Sequence, residues 1–91
     1  MLVSLRVEKE TGMQTIEIYT KGYCPYCAAA KKRLHDLGWK YQEYEITGKP
    51  KKQQEMIARS KRRTVPQIFI NKHHIGGYDD FSAHLQKIKP E

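Results

Sequence analysis

Cys24-Pro25-Tyr26-Cys27 holds both cysteines of the sequence, three positions apart. The chemistry open to such a pair is thiol–disulfide exchange, in which a thiolate attacks a disulfide sulfur. Two other uses of cysteine fit poorly. A small secreted scaffold stapled by disulfides carries more cysteines at wider spacing. A structural zinc site takes four ligands, and His35, His73, His74 and His84 do not stand at paired ligand spacing with the cysteines. No metal is expected.

The reactivity of the pair depends on where the chain places it. Unpaired N–H groups and the dipole at a helix N-terminus favour a thiolate over a thiol. The segment Thr15-Ile16-Glu17-Ile18-Tyr19-Thr20 is β-branched and alternating, which predicts a strand. Lys21-Gly22-Tyr23 is a short loop that adds one positive charge. Cys24 then opens a helix, with Pro25 at the first helical position, where its missing N–H does no harm. Cys27, Ala30 and Leu34 follow at i, i+3 and i+7, the spacing of a stripe packed on a sheet. The pair is therefore asymmetric: Cys24 is the exposed candidate nucleophile, and Cys27 the buried, less ionised candidate for the resolving thiol.

The remaining elements follow from the same rules. The first helix runs to about Leu37 and stops at Gly38. Tyr41 to Ile46 is a second strand, Thr47-Gly48-Lys49 a loop, and Pro50 starts a helix to about Arg59. Gln67-Ile68-Phe69-Ile70 is an apolar strand that turns through Asn71 to His73 into a short one at His74-Ile75. Gly76-Gly77 is a corner. Asp79 or Asp80 caps a last helix whose Phe81, Leu85 and Ile88 fall on one face. A helix between the first two strands implies a parallel crossover, and the turn near Asn71 implies an antiparallel hairpin. The expectation is an α/β fold of order β-α-β-α-β-β-α, with helices on a mixed four-stranded sheet. Residues 1–13 read as an N-terminal extension to a domain over 14–91. An extra edge strand from Leu2 to Val7 is the alternative.

At 91 residues the chain has room for one modest core. Hydrophobic content of 38% and charged content of 30% suit a compact, soluble domain. No apolar run approaches the roughly 20 residues of a membrane helix, and residues 1–13 are too charged for a secretory signal; a cytoplasmic monomer is expected. The net charge of +7 gathers at Lys31-Lys32-Arg33, Lys49 to Lys52 and Arg59 to Arg63. No nucleic-acid-reading motif accompanies it. A solvated surface, or attraction of small anionic thiols and acidic protein substrates, explains it better.

Three segments carry a more specific likeness. Lys21 to Cys27 (KGYCPYC), Thr64 to Ile70 (TVPQIFI) and Gly76 to Asp80 (GGYDD) resemble, in order and spacing, the dithiol glutaredoxins, most closely the small bacterial ones. The likeness spans about residues 14–89. It implies a thioredoxin fold, glutathione as cosubstrate, glutathionylated or disulfide-bonded proteins as partners, and a cis Val65–Pro66 bond. It also implies site roles. Lys21, Gln53 and Arg63 resemble residues that hold the glycine carboxylate of glutathione, and Tyr26 resembles the ring beside the sulfur. Thr64, Val65 and Pro66 resemble the segment that pairs with the cysteinyl backbone. Gly77, Tyr78 and Asp79 resemble the segment that receives the γ-glutamyl end. Many members carry a third cysteine where Tyr78 stands.

Overall fold

The computed structural model describes residues 14–88; the segment read as an extension, with its alternative strand, lies outside them. The elements are β1 (Ile16–Thr20), α1 (Pro25–Asp36), β2 (Gln42–Glu45), α2 (Pro50–Ser60), β3 (Gln67–Ile70), β4 (His73–Gly76) and α3 (Tyr78–Ile88). They form one sheet of order β2-β1-β3-β4. β1 pairs parallel with β2 (Ile18 opposite Glu43) and antiparallel with β3 (Ile18 opposite Ile68), and β3 pairs antiparallel with β4. This is the mixed four-stranded sheet that the sequence implied.

The sheet is covered on both faces. Ile16, Ile18, Ile68 and Ile70 pack with Ala30 and Leu34 of α1 and Phe81 and Leu85 of α3. Tyr19 and Phe69 pack with Ile46 and with Met56 of α2. A central strand between two helical layers is buried throughout, so Glu17, an outward-facing polar position by simple alternation, is only 8% exposed. Arg59 of α2 meets it with a two-pronged ion pair at 2.9 and 3.2 Å, and the Tyr44 hydroxyl donates to it at 3.0 Å.

Local chemistry sets the element ends. α1 closes in a Schellman arrangement: the Trp39 N–H reaches the Leu34 carbonyl at 3.1 Å, the Gly38 N–H reaches that of His35 at 3.0 Å, and Gly38 takes φ +74°. Asn71 and Lys72, at φ +52° and +69°, make the two-residue turn between β3 and β4. β4 is longer than predicted. Its pairing steps from Phe69 opposite His74 to Ile68 opposite Gly76, leaving Ile75 as a bulge.

The start of α3 differs from the prediction. Neither acid is the N-cap. Gly77 precedes the first helical residue, Tyr78, and its carbonyl accepts the Phe81 N–H at 2.9 Å. Asp80, in the first turn, reaches back to accept the Gly77 N–H at 3.1 Å, one half of a capping box. The physical reason is room: Gly76, at φ +125°, has the Asp80 carboxylate lying where a Cβ would stand. Gly76→Ala should therefore lower stability by about 2–3 kcal/mol, through both the backbone conformation and the clash. The measurement is a drop in the urea midpoint at unchanged slope.

Candidate active site

The strand-to-helix step after β1 carries the cysteines. Cys24 is the N-cap of α1, in extended conformation (φ −93°, ψ 117°), with Pro25 just inside the helix. Its Sγ accepts the Cys27 N–H at 3.3 Å, so the sulfur occupies the position where a capping oxygen normally sits. The loop is tied off by the Cys24 N–H on the Lys21 carbonyl at 3.2 Å. Cys24 is partly exposed and both thiols are free.

Cys27 faces the other way. It is 1% exposed, on the buried stripe with Ala30 and Leu34, as the spacing predicted. Burial pushes its thiol up to about 12, and the adjacent Cys24 sulfur adds to the rise. In an unfolded chain a cysteine titrates near 8.5. Between about 8.5 and 12 the native protein therefore keeps a proton that the unfolded chain has lost, so the stability of the reduced form falls as pH rises through that window. Cys27→Ala should flatten the lower part of this slope. Tyr19, also pushed to about 12 by burial and by its bond to Glu55, keeps the upper part. Urea titrations of the reduced protein at stepped alkaline pH measure both.

Two segments distant in sequence converge beside Cys24. The Val65–Pro66 bond is cis, and the Val65 carbonyl lies 3.8 Å from the Cys24 Sγ. Opposite it, the start of α3 comes so near that a Cβ on Gly77 would lie 3.4 Å from the Pro66 carbonyl. Between them opens a cleft of about 320 Å³ lined by Tyr26, Arg62, Thr64, Val65, Pro66, Gly77, Tyr78, Asp79 and Asp80. Tyr26 is 62% exposed, and its ring centroid stands 6.2 Å from that of Tyr78 across the cleft mouth.

The cleft gathers Tyr26, Thr64, Val65, Pro66, Gly77, Tyr78 and Asp79 from the residues singled out in the sequence. Lys21, Gln53 and Arg63 are not part of its lining. Lys21 is half-buried in the loop before Cys24, Gln53 stands half-buried in the first turn of α2, and Arg63 is exposed after that helix. Two lining residues had been missed. Arg62 pairs with Asp80 at 2.9 Å, linking the two walls. That bond, with the Gly77 N–H, holds the Asp80 carboxyl below the usual carboxylate range. A helix-start acid was legible in the sequence. Nothing distinguished Arg62 from the basic residues around it, because its partner lies 18 positions away.

Chemically, the arrangement offers one accessible sulfur at a helix N-terminus, a second thiol buried one turn behind it, and a groove with backbone groups, two phenol rings and charges of both signs. Among the described residues no group of three or more His, Cys, Asp or Glu side chains could hold a metal ion, and no helix is long and apolar enough to cross a membrane.

Comparisons with known proteins agree with this geometry. The glutaredoxin family model matches residues 16–75. Glutaredoxin 3 of Escherichia coli is 55% identical over 71 residues, 78% of this chain and 86% of that one. Among solved structures, the solution structure of glutaredoxin from Brucella melitensis superposes with a TM-score of 0.70 at 43% identity, covering 82% of each chain. The crystal structure of a buckwheat glutaredoxin–glutathione complex superposes with a TM-score of 0.74 at 28% identity, covering 91% of this chain and 78% of that one.

Proposed function

The chain belongs to the glutaredoxin family and is a thiol–disulfide oxidoreductase, and from that premise we propose that Cys24 is its nucleophile, Cys27 its resolving thiol, and glutathione the thiol its cleft receives. The observation that carries this reading is the asymmetry of the pair. One sulfur sits partly exposed at a helix N-terminus, and the other is 1% exposed and held as a thiol.

With a glutathionylated substrate, the Cys24 thiolate attacks the glutathionyl sulfur. The S–S bond of the substrate breaks, its thiolate departs and takes a proton from water, and Cys24 carries glutathione. A second glutathione thiolate attacks that glutathionyl sulfur, regenerating the Cys24 thiolate and leaving oxidised glutathione. With a protein disulfide, Cys24 forms a mixed disulfide with one substrate sulfur. Cys27 then loses its proton and attacks the Cys24 sulfur, closing a Cys24–Cys27 disulfide and releasing the substrate as a dithiol. Burial, with a smaller contribution from the adjacent Cys24 sulfur, keeps Cys27 protonated until that moment.

Glutathione carries two carboxylates and one ammonium. The cleft answers with the N-terminus of α3 at one end, which attracts a carboxylate, with Asp79 beside it for an ammonium. Thr64 and Val65 offer backbone groups that could pair with a cysteinyl residue as an added strand does. Lys21, Gln53 and Arg63 lie outside this cleft, so their proposed hold on the glycine carboxylate requires the ligand to extend past Cys24 toward the first turn of α2. Glutathionylated and disulfide-bonded proteins are the proposed macromolecular substrates.

The test supplies electrons from either of two sources. The protein should reduce the mixed disulfide of glutathione and 2-mercaptoethanol when glutathione is supplied, and should gain little from thioredoxin reductase. The reverse pattern would refute glutathione as the partner.

A further inference from the structure

Behind the cleft wall lies a chain of hydrogen bonds with a direction. Gln67 is fully buried. Its side-chain N–H groups donate to the Thr64 carbonyl at 3.0 Å and to the Thr64 Oγ1 at 3.1 Å. Its amide oxygen lies 2.7 Å from the Nε2 of His74. The amide cannot turn over without setting its own oxygen against the Thr64 carbonyl oxygen, which can only accept. The Oε1 is therefore the acceptor, and His74 must carry its proton on Nε2. Burial lowers the His74 pKa, which favours the neutral ring, and the ring lies tilted against Phe69 with centroids 5.0 Å apart. Thr64 Oγ1 accepts from Gln67, so the hydroxyl hydrogen of Thr64 is left for a partner elsewhere, and Thr64 lines the cleft.

We propose that His74 and Gln67 are positioning residues: the sequence His74 Nε2–H to Gln67 Oε1, then Gln67 Nε2–H to Thr64, fixes the Thr64 segment and turns its hydroxyl into a donor for a carbonyl or carboxylate oxygen of the bound thiol. This rests on the proposed glutathione reading of the cleft. Successive donors polarise one another in such chains. Neither residue lines the cleft, and His74 stands on β4, hydrogen-bonded to Gln67.

The test uses variants that keep shape and remove one link. Gln67→Leu removes the amide. His74→Phe keeps the ring against Phe69 and removes the donor. Thr64→Val removes the hydroxyl on the exposed wall. For the glutathione–2-mercaptoethanol mixed disulfide, Gln67→Leu and Thr64→Val should each raise KM about 10-fold and His74→Phe about 3-fold, the scale of one hydrogen bond. The kcat should stay within about twofold, and so should the rate at which iodoacetamide alkylates Cys24. The Gln67→Leu/His74→Phe double variant should be no worse than Gln67→Leu alone, because both act through Thr64, and His74→Gln, which restores an N–H donor, should recover part of the loss. Unchanged KM in folded His74→Phe and Thr64→Val, beside an active parent, would overturn the assignment, as would KM effects that multiply in the double variant. A readout independent of activity separates this from failure of the glutathione reading. Long-range ¹H–¹⁵N spectra of the ligand-free protein should show His74 protonated at Nε2, and protonation at Nδ1 alone would refute the relay even in an active enzyme.

Discussion

Cys24→Ser is expected to bring glutathione-dependent reduction of a small mixed disulfide down to the rate of glutathione alone, a loss of at least about 10³-fold. Serine can still accept the Cys27 N–H, so the N-cap and the fold should survive; what disappears is the only accessible sulfur among the described residues. Cys27→Ser should act differently on the two reactions. Deglutathionylation needs no second protein thiol and should keep most of its rate. Reduction of a protein disulfide needs the internal attack and should stall at the mixed disulfide with Cys24. Parallel assays with a glutathionylated peptide and an insulin-type disulfide distinguish the two. Equal losses in both assays for Cys27→Ser would contradict the division of roles.

The second large effect concerns stability. Arg59 holds Glu17 through two hydrogen bonds, donates to the Tyr19 hydroxyl at 2.8 Å, and lies 4.0 Å over the Phe69 ring. Arg59→Ala leaves a carboxylate within the sheet with the Tyr44 hydroxyl as its one remaining hydrogen-bond partner among the described residues. Breaking a buried pair this way costs about 3–5 kcal/mol, and the partial exposure of Arg59 brings the expected loss to about 2–4 kcal/mol. Replacing both members, as in Glu17→Gln/Arg59→Met, should recover much of it, because the penalty comes from an orphaned charge rather than a lost attraction. The acid limb should change too. The hydrogen bonds from Arg59 hold the Glu17 carboxyl below the usual carboxylate range. Its contribution is present at neutral pH and is lost as pH falls through the carboxylate range. In Arg59→Ala that pull is gone and burial raises the carboxyl, so the loss of stability relative to the parent should be largest at neutral pH and should shrink as pH falls and Glu17 takes up a proton. Urea titrations between neutral pH and pH 3 read both effects.

Local chemistry made much of this structure legible. The β-branched run before Cys24, proline after it and glycine beyond Leu37 are near-neighbour signals, and β1 and α1 follow them to within a residue or two. The helical stripe of Cys27, Ala30 and Leu34 also read correctly, because a 3.6-residue period needs no knowledge of the partner sheet. The interior of the sheet did not read as well. Glu17 alternates with isoleucines as an outward residue would, yet α2 covers that face and Arg59, 42 positions later, neutralises it. Gly76 read only as part of a corner, but its missing Cβ makes room for Asp80, which moves the start of α3 back to Tyr78. In the cleft, the segments carried by family likeness came together, whereas Arg62 joined them through an ion pair that no spacing rule announces. The His74–Gln67–Thr64 chain is of the same kind: each residue has an ordinary strand or loop reading, and only the folded register brings them to hydrogen-bonding distance.

The most direct test of the central claim is a trapped intermediate. Cys27→Ser incubated with the mixed disulfide of glutathione and 2-mercaptoethanol, then acid-quenched, should show by tandem mass spectrometry one glutathionyl group on Cys24, which added glutathione removes at a rate matching turnover. Transfer of the 2-mercaptoethanol half to Cys24, or turnover with no Cys24 adduct, would contradict it.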